Sequence, residues 1–188
     1  TTGESHHRCM VAEVMGRHVG WIALHSGMAA GAHAILIPEV RTPMSQVAEW
    51  VQQVHDRGRS PLVVVAEGFI PEGHDDPLAE AGVEASGRPR LGGIGEWVTR
   101  EIEEMTGIET RSTILGHIQR GGAPTATDRV LSTRFGMGAV DLVAQRRWGQ
   151  MVAANGTEII SIPMSAALKG LKKVPVSRYE EAKILFGR

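Results

Sequence analysis

The chain has 188 residues, of which 42% are hydrophobic and 22% are charged, and its formal net charge is −1. This length suits one substantial core, and the near-neutral charge excludes the electrostatic footprint of a protein that binds nucleic acid or an anionic membrane. The single Cys9 excludes an internal disulfide framework and is typical of the cytoplasm, and no apolar run is long enough to cross a bilayer.

Residues 1–14 predict a helix that leads into a strand, and Thr1 in place of Met predicts a cut inside a longer protein. The run Ser5-His6-His7-Arg8-Cys9 brings histidines near a cysteine. Adjacent histidines point in different directions, however, and no second ligand pair follows at the spacing of a metal site. We therefore expect no metal here and place Arg8 on an exposed helix face.

Met15-Gly16-Arg17 marks the change from that strand to a helix over Trp21 to Ala30. The small and apolar residues of this segment predict a buried helix whose first amides face the carboxyl edge of a sheet. Such amides suit an anionic ligand, and Arg17 can add a bidentate charge. Alternatively, Gly16 serves tight packing between helix and strand, and Arg17 lies in solvent.

Two apolar runs, Ala34 to Glu39 and Pro61 to Ala66, predict buried parallel strands. Between them, apolar residues at helical spacing predict an amphipathic helix that ends at Arg57-Gly58. The second strand delivers Glu67 to its carboxyl end. Glu67 either accepts hydrogen bonds from ligand hydroxyls or lies in water.

Residues 71–90 predict a solvated loop, because Gly, Pro and clustered charges dominate them. Gly92-Gly93-Ile94-Gly95 lacks both the spacing of a dinucleotide-binding loop and a preceding strand. Apolar residues at helical spacing from Ile94 to Met105 then predict a helix that is capped at Gly107.

The stretch around which the chain is organised is Leu115-Gly116-His117-Ile118-Gln119-Arg120-Gly121-Gly122. A β-branched strand from Thr110 precedes it, and a helix from about Ala126 follows it. Gly-rich backbone before a helix, with His117 and Arg120 as donors, indicates a phosphate site at the carboxyl end of a sheet. The alternative is a glycine turn whose His and Arg satisfy local carbonyls. Arg111 lies six residues before His117, about 20 Å of extended chain.

The remaining chain predicts a long helix, a hairpin around Asn155-Gly156, and terminal helices over Ala166 to Lys173 and Arg178 to Leu185. Strands alternate with helices along most of the sequence. This alternation predicts an α/β fold with a mainly parallel sheet and helices on both faces.

The order and wording of these motifs resemble bacterial-type 6-phosphofructokinases. The resemblance runs from Ser5-His6-His7-Arg8 and Glu13-Val14-Met15-Gly16-Arg17 through Pro38-Glu39 to the His117–Gly122 motif and Asp128-Arg129. It covers nearly the whole chain and implies a phosphofructokinase-like fold.

By this resemblance, the matching residues bind fructose 6-phosphate. His117 and Arg120 hold the sugar phosphate within one subunit, whereas Arg8 and Arg111 reach it from a neighbouring subunit of a homo-oligomer, expected to be a tetramer. Glu67 accepts sugar hydroxyls.

Met15 and Gly16, by the same resemblance, pack on the sugar and hydrogen-bond it. Arg17 has the catalytic role, because it neutralises charge on the transferring phosphoryl group. Such a reaction needs positioning and cationic stabilisation more than covalent catalysis.

The resemblance also implies that the nucleotide loop and the catalytic aspartate belong to a region before Thr1. We expect ATP and Mg²⁺ to bind mainly there, and the isolated chain to be inactive. The chain divides accordingly into a sugar-phosphate domain over residues 1–120, a segment over 121–165 that packs with the N-terminal half of the same enzyme, and terminal helices over 166–188.

Three alternatives are weighed against an ATP-dependent enzyme. They are a pyrophosphate-dependent phosphofructokinase, a non-catalytic module that binds sugar phosphate or oligomerises, and an N-terminal hydrolase with Thr1 as nucleophile. The parallel-type strands argue against the last. In addition, His33 stands where effector-responsive relatives carry a metal-coordinating glutamate, which puts the usual effector response in doubt.

Overall fold

The computed structural model describes residues 1–77, 79–83 and 89–188. They form two compact units, Thr1–Arg120 with Lys172–Arg188, and Gly121–Leu171. The helices and strands of the described residues are, in chain order, α1 (Thr2–His6), β1 (Cys9–Val14), α2 (Trp21–Ala30), β2 (Ala34–Leu36), α3 (Met44–Asp56), β3 (Leu62–Ala66), β4 (Ala79–Val83), β5 (Pro89–Leu91), α4 (Ile94–Thr106), β6 (Thr110–Ile114), a 3-10 helix (Gly116–Arg120), α5 (Ala126–Ala144), β7 (Gln150–Asn155), β8 (Glu158–Pro163), α6 (Met164–Ala167) and α7 (Val176–Lys183).

A parallel sheet in the order β2-β3-β1-β6 organises the first unit. Its register pairs Val14 of β1 with Ala66 of β3, and Glu13 of β1 with Ile114 of β6. Strand β1 therefore lies between β3 and β6, and the carboxyl ends of these three strands meet at one edge.

Helices cover both faces of this sheet, because successive side chains of each strand point to opposite faces. On one face, Val11 and Val63 pack in a cluster with residues of α3 and α4. On the other face, Val64 packs in a cluster with residues of α2 and α7, including Tyr179. The predicted α/β fold with a parallel sheet flanked by helices is confirmed.

The second unit consists of α5, the β7–β8 hairpin and α6. Thr125 and Asp128 form a capping box that begins α5. The predicted hairpin is present, but Asn155 pairs with Glu158 as the last residue of β7, so the two-residue turn is Gly156-Thr157.

Three sequence predictions differ from the structure. The predicted loop over residues 71–90 contains β4 and the start of β5, so a strand does precede Gly92, contrary to the prediction. The two strands are antiparallel, and Pro89 is tolerated because it begins its strand. Residues 78 and 84–88 of that loop lie outside the described residues. The helix α2 is buried on one side only, since Ile22 is 46% exposed.

The third difference concerns the helix predicted over Ala166 to Lys173, of which only the start is helical. The main chain beyond it makes other hydrogen bonds. The carbonyl of Lys172 accepts from Trp21 Nε1 at 2.6 Å, and the Val174 amide donates to the Glu39 carboxylate at 2.9 Å. These bonds hold the segment that leads to α7 in non-helical form. Among the described residues, no helix is both long and apolar enough to span a membrane.

Candidate functional site

The central position of β1 determines which predicted site residues lie together. Met15, Gly16 and Arg17 follow β1 directly, Glu67 follows β3, and the 3-10 helix with His117 and Arg120 follows β6. The loop after β1 is therefore flanked by the other two segments at the carboxyl edge of the sheet, where open α/β folds bind ligands.

Met15 makes the contacts on the β6 side of this loop. Its amide donates to Gln119 Oε1 at 3.1 Å, and its sulfur accepts from Arg120 Nε at 3.4 Å. In a 3-10 helix, side chains three residues apart lie one above the other, so His117 and Arg120 share a side of their helix. Both are exposed, and together they present donors to an anion.

Gly16 makes the contact on the β3 side. Its amide lies 3.3 Å from Glu67 Oε1, and its carbonyl accepts from the Gly68 amide at 3.1 Å. Gly16 has a φ of 147°, a conformation that favours glycine. The half-buried Glu67 carboxylate thus borders the same loop that carries Arg17, which is itself half-buried.

The structure places Arg8 and Arg111 at the opposite edge. The prediction that Arg8 lies on an exposed helix face is wrong. Arg8 lies between α1 and β1, where its Nε contacts Glu109 Oε2 at 2.8 Å. Arg111 pairs with Glu109 and also approaches Glu103 Oε1 at 3.6 Å. Hydrogen bonding from Arg8 is the main cause that lowers the pKa of Glu109, and the charge of Arg111 lowers it further. We call Arg8, Glu109 and Arg111 the amino-edge cluster.

Four further residues shape the carboxyl edge, and the sequence interpretation gave none of them a role. Glu13 is only 4% exposed, and its Oε2 accepts from the Gly95 amide near the start of α4 at 2.8 Å. Glu39 accepts from the Gly20 amide, just before α2, at 3.0 Å. The others are Gln119 and Gly68. The sequence did contain a signal for Glu13, because a carboxylate inside an otherwise apolar strand indicates a buried polar contact.

Among the described residues, no group of three or more His, Cys, Asp and Glu side chains is arranged to hold a metal ion. Burial raises the pKa of the Cys9 thiol to about 12, although a hydrogen bond with Thr110 lowers it. A thiol in this state is a poor metal ligand, because the thiolate is the form that binds metals. The charged loop residues Glu72, Asp75 and Asp76 are exposed.

His33 is buried at the start of β2. Its Nδ1 accepts from the Leu62 amide at 3.0 Å, so the neutral ring carries its proton on Nε2. Burial, and then the charge of Arg59, lowers the pKa of His33. A buried neutral imidazole is a poor replacement for the hard carboxylate that would bind Mg²⁺.

Comparison with known proteins gives consistent matches. A family model described as Phosphofructokinase matches residues 1–143. The pyrophosphate–fructose 6-phosphate 1-phosphotransferase of Amycolatopsis mediterranei is 54% identical over 187 residues, which are 100% of this chain and 55% of that protein. The ATP-dependent 6-phosphofructokinase of Mycobacterium bovis is 46% identical over 188 residues, with the same two coverages.

A solved structure of phosphofructokinase from Saccharomyces cerevisiae matches with a TM-score of 0.75 and 32% identity, over 98% of this chain and 24% of that one. The chain spans about half the length of the curated relatives it matches.

Proposed function

The chain belongs to the phosphofructokinase family, and we propose that it is the C-terminal half of such an enzyme and forms its fructose 6-phosphate site. The observation that carries this proposal is the position of the Met15–Arg17 loop between Glu67 and the 3-10 helix of His117 and Arg120. This arrangement brings a carboxylate, two arginines and a histidine to one edge, and these are hydrogen-bonding groups that suit a phosphorylated sugar.

In this proposal each residue has a role that suits its side chain. His117 and Arg120 bind the 6-phosphate, and Glu67 accepts hydrogen bonds from sugar hydroxyls. Met15 and Gly16 contact the sugar. Arg17 stabilises charge that develops on the transferred phosphoryl group, and a fixed cation is effective because it needs no reorganisation during the reaction.

The amino-edge cluster serves a second subunit in this proposal. Arg8 and Arg111 extend from the other edge of the sheet, so they complete the pocket of a neighbouring copy in a homo-oligomer, expected to be a tetramer. Residues 1–120 form the sugar-phosphate domain, residues 121–165 pack with the N-terminal half, and residues 166–188 provide the terminal helices. The enzyme acts in the cytoplasm.

The phosphoryl donor binds to the N-terminal half. Mg²⁺ bound to the donor neutralises phosphate charge, and the described residues of this chain offer no cluster to hold it. The family resemblance implies ATP as the donor. The chain is, however, 54% identical to a pyrophosphate-dependent relative and 46% identical to an ATP-dependent one, and this difference supports the alternative donor, pyrophosphate.

A hybrid enzyme tests the proposal. Residues 1–188 replace the matching C-terminal part of the Amycolatopsis mediterranei relative, and the product is assayed with fructose 6-phosphate and pyrophosphate. We expect turnover from this hybrid and only background from residues 1–188 alone. A folded hybrid that binds fructose 6-phosphate without turnover indicates the non-catalytic module, and one that does not bind it contradicts the proposal.

A second hybrid carries the N-terminal part of the Mycobacterium bovis relative. If donor choice resides upstream of Thr1, this second hybrid uses ATP and the first uses pyrophosphate. If both use the same donor, residues 1–188 contribute to donor choice. The natural donor follows from assaying the longer parent protein with each donor.

A further inference from the structure

We propose that Gln119 is a positioning residue that holds the loop carrying Arg17 in register with the phosphate-binding side chains His117 and Arg120. This inference rests on the proposed function. It assigns no contact with substrate to Gln119 itself, which acts through the main chain of its neighbours.

The side-chain carboxamide of Gln119 provides the hydrogen-bond acceptor that strand β6 does not offer to Met15 at the end of β1. In the β1–β6 ladder the Cys9 amide donates to the Glu109 carbonyl at 3.0 Å, and the parallel register implies the same bond at every second residue of β1. At Met15 the next acceptor would be the Leu115 carbonyl, but that carbonyl accepts from Ile118 at 3.2 Å as the 3-10 helix begins.

Gln119 Oε1 supplies the acceptor instead, at 3.1 Å from the Met15 nitrogen. Its Nε2 donates to the Gly116 carbonyl, also at 3.1 Å, at the start of the 3-10 helix. One side chain therefore ties the loop after β1 to the turn after β6. Only Asn and Gln offer an acceptor and an amide donor together, and Asn is one methylene shorter.

The orientation of Gln119 also distinguishes it from its neighbours. His117, Ile118 and Arg120 are exposed, whereas Gln119 is half-buried. A solvated position would accept any polar residue, but this side chain turns inward and both of its polar atoms are paired.

Loss of this link would affect turnover more than binding. The Met15 amide lies two residues before Arg17, so loss of its bond weakens the connection of the loop to the β6 side, and Arg17 can shift while His117 and Arg120 remain on their own helix. A misplacement of about 1 Å can lower a rate by about 100-fold. The 6-phosphate contacts that dominate ground-state binding stay in place.

Gln119→Met tests the inference in the hybrid enzyme, because Met has similar length and volume but makes neither hydrogen bond. We expect kcat to fall by at least about 10-fold while the KM for fructose 6-phosphate stays within about threefold. We also expect faster hydrogen exchange of the Met15 amide, with the amides of β3 unchanged. Gln52→Met is the matched control, because Gln52 donates to Asp56 of its own helix and lies on α3, and it should change neither value.

Gln119→Glu provides a second variant whose signature differs. Its carboxylate can still accept from the Met15 amide, but it has no N–H for the Gly116 carbonyl and repels that oxygen, so Met15 should keep only part of its exchange protection. Its charge also repels the sugar phosphate, so the KM should rise, and kcat should fall, though less than in Gln119→Met. This variant also keeps the inference testable if Gln119→Met does not fold.

The inference is overturned if Gln119→Met leaves kcat within about twofold of the parent, raises only the KM, or leaves Met15 exchange unchanged. A Gln119→Glu variant with the kcat of the parent also overturns it, because the bond to Gly116 would then be dispensable. Failure of the proposed function looks different. A folded hybrid that does not bind fructose 6-phosphate before any substitution contradicts that function, whereas Met15 exchange reports on the Gln119 contact without turnover.

Discussion

Gly68 lies directly against the main chain of Arg17. A Cβ atom on Gly68 would stand 1.9 Å from the Arg17 carbonyl oxygen and 2.5 Å from its carbonyl carbon. The Gly68 amide meanwhile donates to the Gly16 carbonyl. The turn after β3 and the loop after β1 therefore approach so closely that only glycine fits at position 68, and this approach brings Glu67 beside Gly16.

Gly68→Ala should displace the Arg17 loop, because the new Cβ would meet main-chain atoms of Arg17, which cannot rotate away as a side chain can. We expect the hybrid enzyme to lose about 1–3 kcal/mol of unfolding free energy in urea, and kcat to fall. Gly170→Ala is the control, since a Cβ there meets no atom within 4 Å. Equal stability and kcat in Gly68→Ala and the parent would contradict the tight contact.

Buried His33 should make stability fall in mild acid. Its pKa is lowered from the ordinary value of 6.5, so the unfolded chain takes up a proton before the folded protein does. The stabilisation is complete above that value and decreases as the pH falls below it. We expect the unfolding free energy to drop between about pH 7.5 and about pH 5.5.

His33→Asn should reduce that pH dependence. The Asn side-chain oxygen can accept from the Leu62 amide in place of Nδ1, but Asn does not titrate. Urea unfolding at the two pH values measures the difference. His18→Asn, at an exposed position, is the control and should retain the parent slope. A parent slope retained by His33→Asn would contradict the role of His33.

Local patterns were sufficient to predict most of the first unit. The run of valines in β3 is apolar on both faces, and a buried parallel strand has this composition. Gly107, with a φ of 70°, ends α4 where the sequence placed the end of that helix. These signals lie within a few residues of the structure they specify.

Contacts between distant residues could not be predicted in the same way. Gln119 and Met15 are 104 positions apart, and the motif around Gln119 does not reveal which of its side chains turns inward. Glu39 likewise accepts from the amides of Gly20 and Val174, and Val174 lies 135 positions away from it. The antiparallel pair of β4 and β5 was missed because main-chain pairing, rather than a long apolar run, defines it.

Cys9 should be chemically inert in the folded protein. Burial raises its thiol pKa to about 12, so almost no thiolate is present near neutral pH, and the thiolate is the nucleophile. We expect no alkylation of the Cys9 peptide by iodoacetamide at about pH 8, and rapid alkylation in denaturant, as followed by mass spectrometry. His18→Cys supplies an exposed thiol as the positive control. Equal rates at positions 9 and 18 would contradict the burial of Cys9.

Arg17→Ala in the hybrid enzyme should lower kcat more than it raises the KM for fructose 6-phosphate. A cation that acts on charge developing in the transition state affects kcat, whereas uniform ground-state binding affects KM. We expect a loss of about 100-fold or more in kcat, by analogy with other single groups that stabilise transition-state charge. Arg178→Ala, at an exposed arginine on α7, is the control. A rise in KM alone would make Arg17 a binding residue.

Arg120 and Arg111 lie at opposite edges of the sheet, and this separation bears on whether pockets are shared between subunits. Arg120 follows β6 at the carboxyl edge, whereas Arg111 lies near the start of that strand and pairs with Glu109. If each pocket takes Arg120 from one subunit and Arg111 from another, Arg111→Ser and Arg120→Ser hybrids are each impaired. Mixing the two under conditions of subunit exchange should regenerate parent-like pockets and raise activity above that of either variant.

The amino-edge cluster makes this test more specific. Because Arg8 and Arg111 bind the same Glu109, they approach a neighbouring pocket from the same subunit. An Arg8→Ser variant should therefore recover activity with Arg120→Ser, but not with Arg111→Ser, since every pocket of the last mixture lacks one of the two cations. Chemical crosslinking before mixing should abolish the gain. Recovery in the Arg8→Ser and Arg111→Ser mixture would mean that the two cations reach a pocket from different subunits. No recovery in verified mixed oligomers of Arg111→Ser and Arg120→Ser would return Arg111 to a structural role within its own subunit.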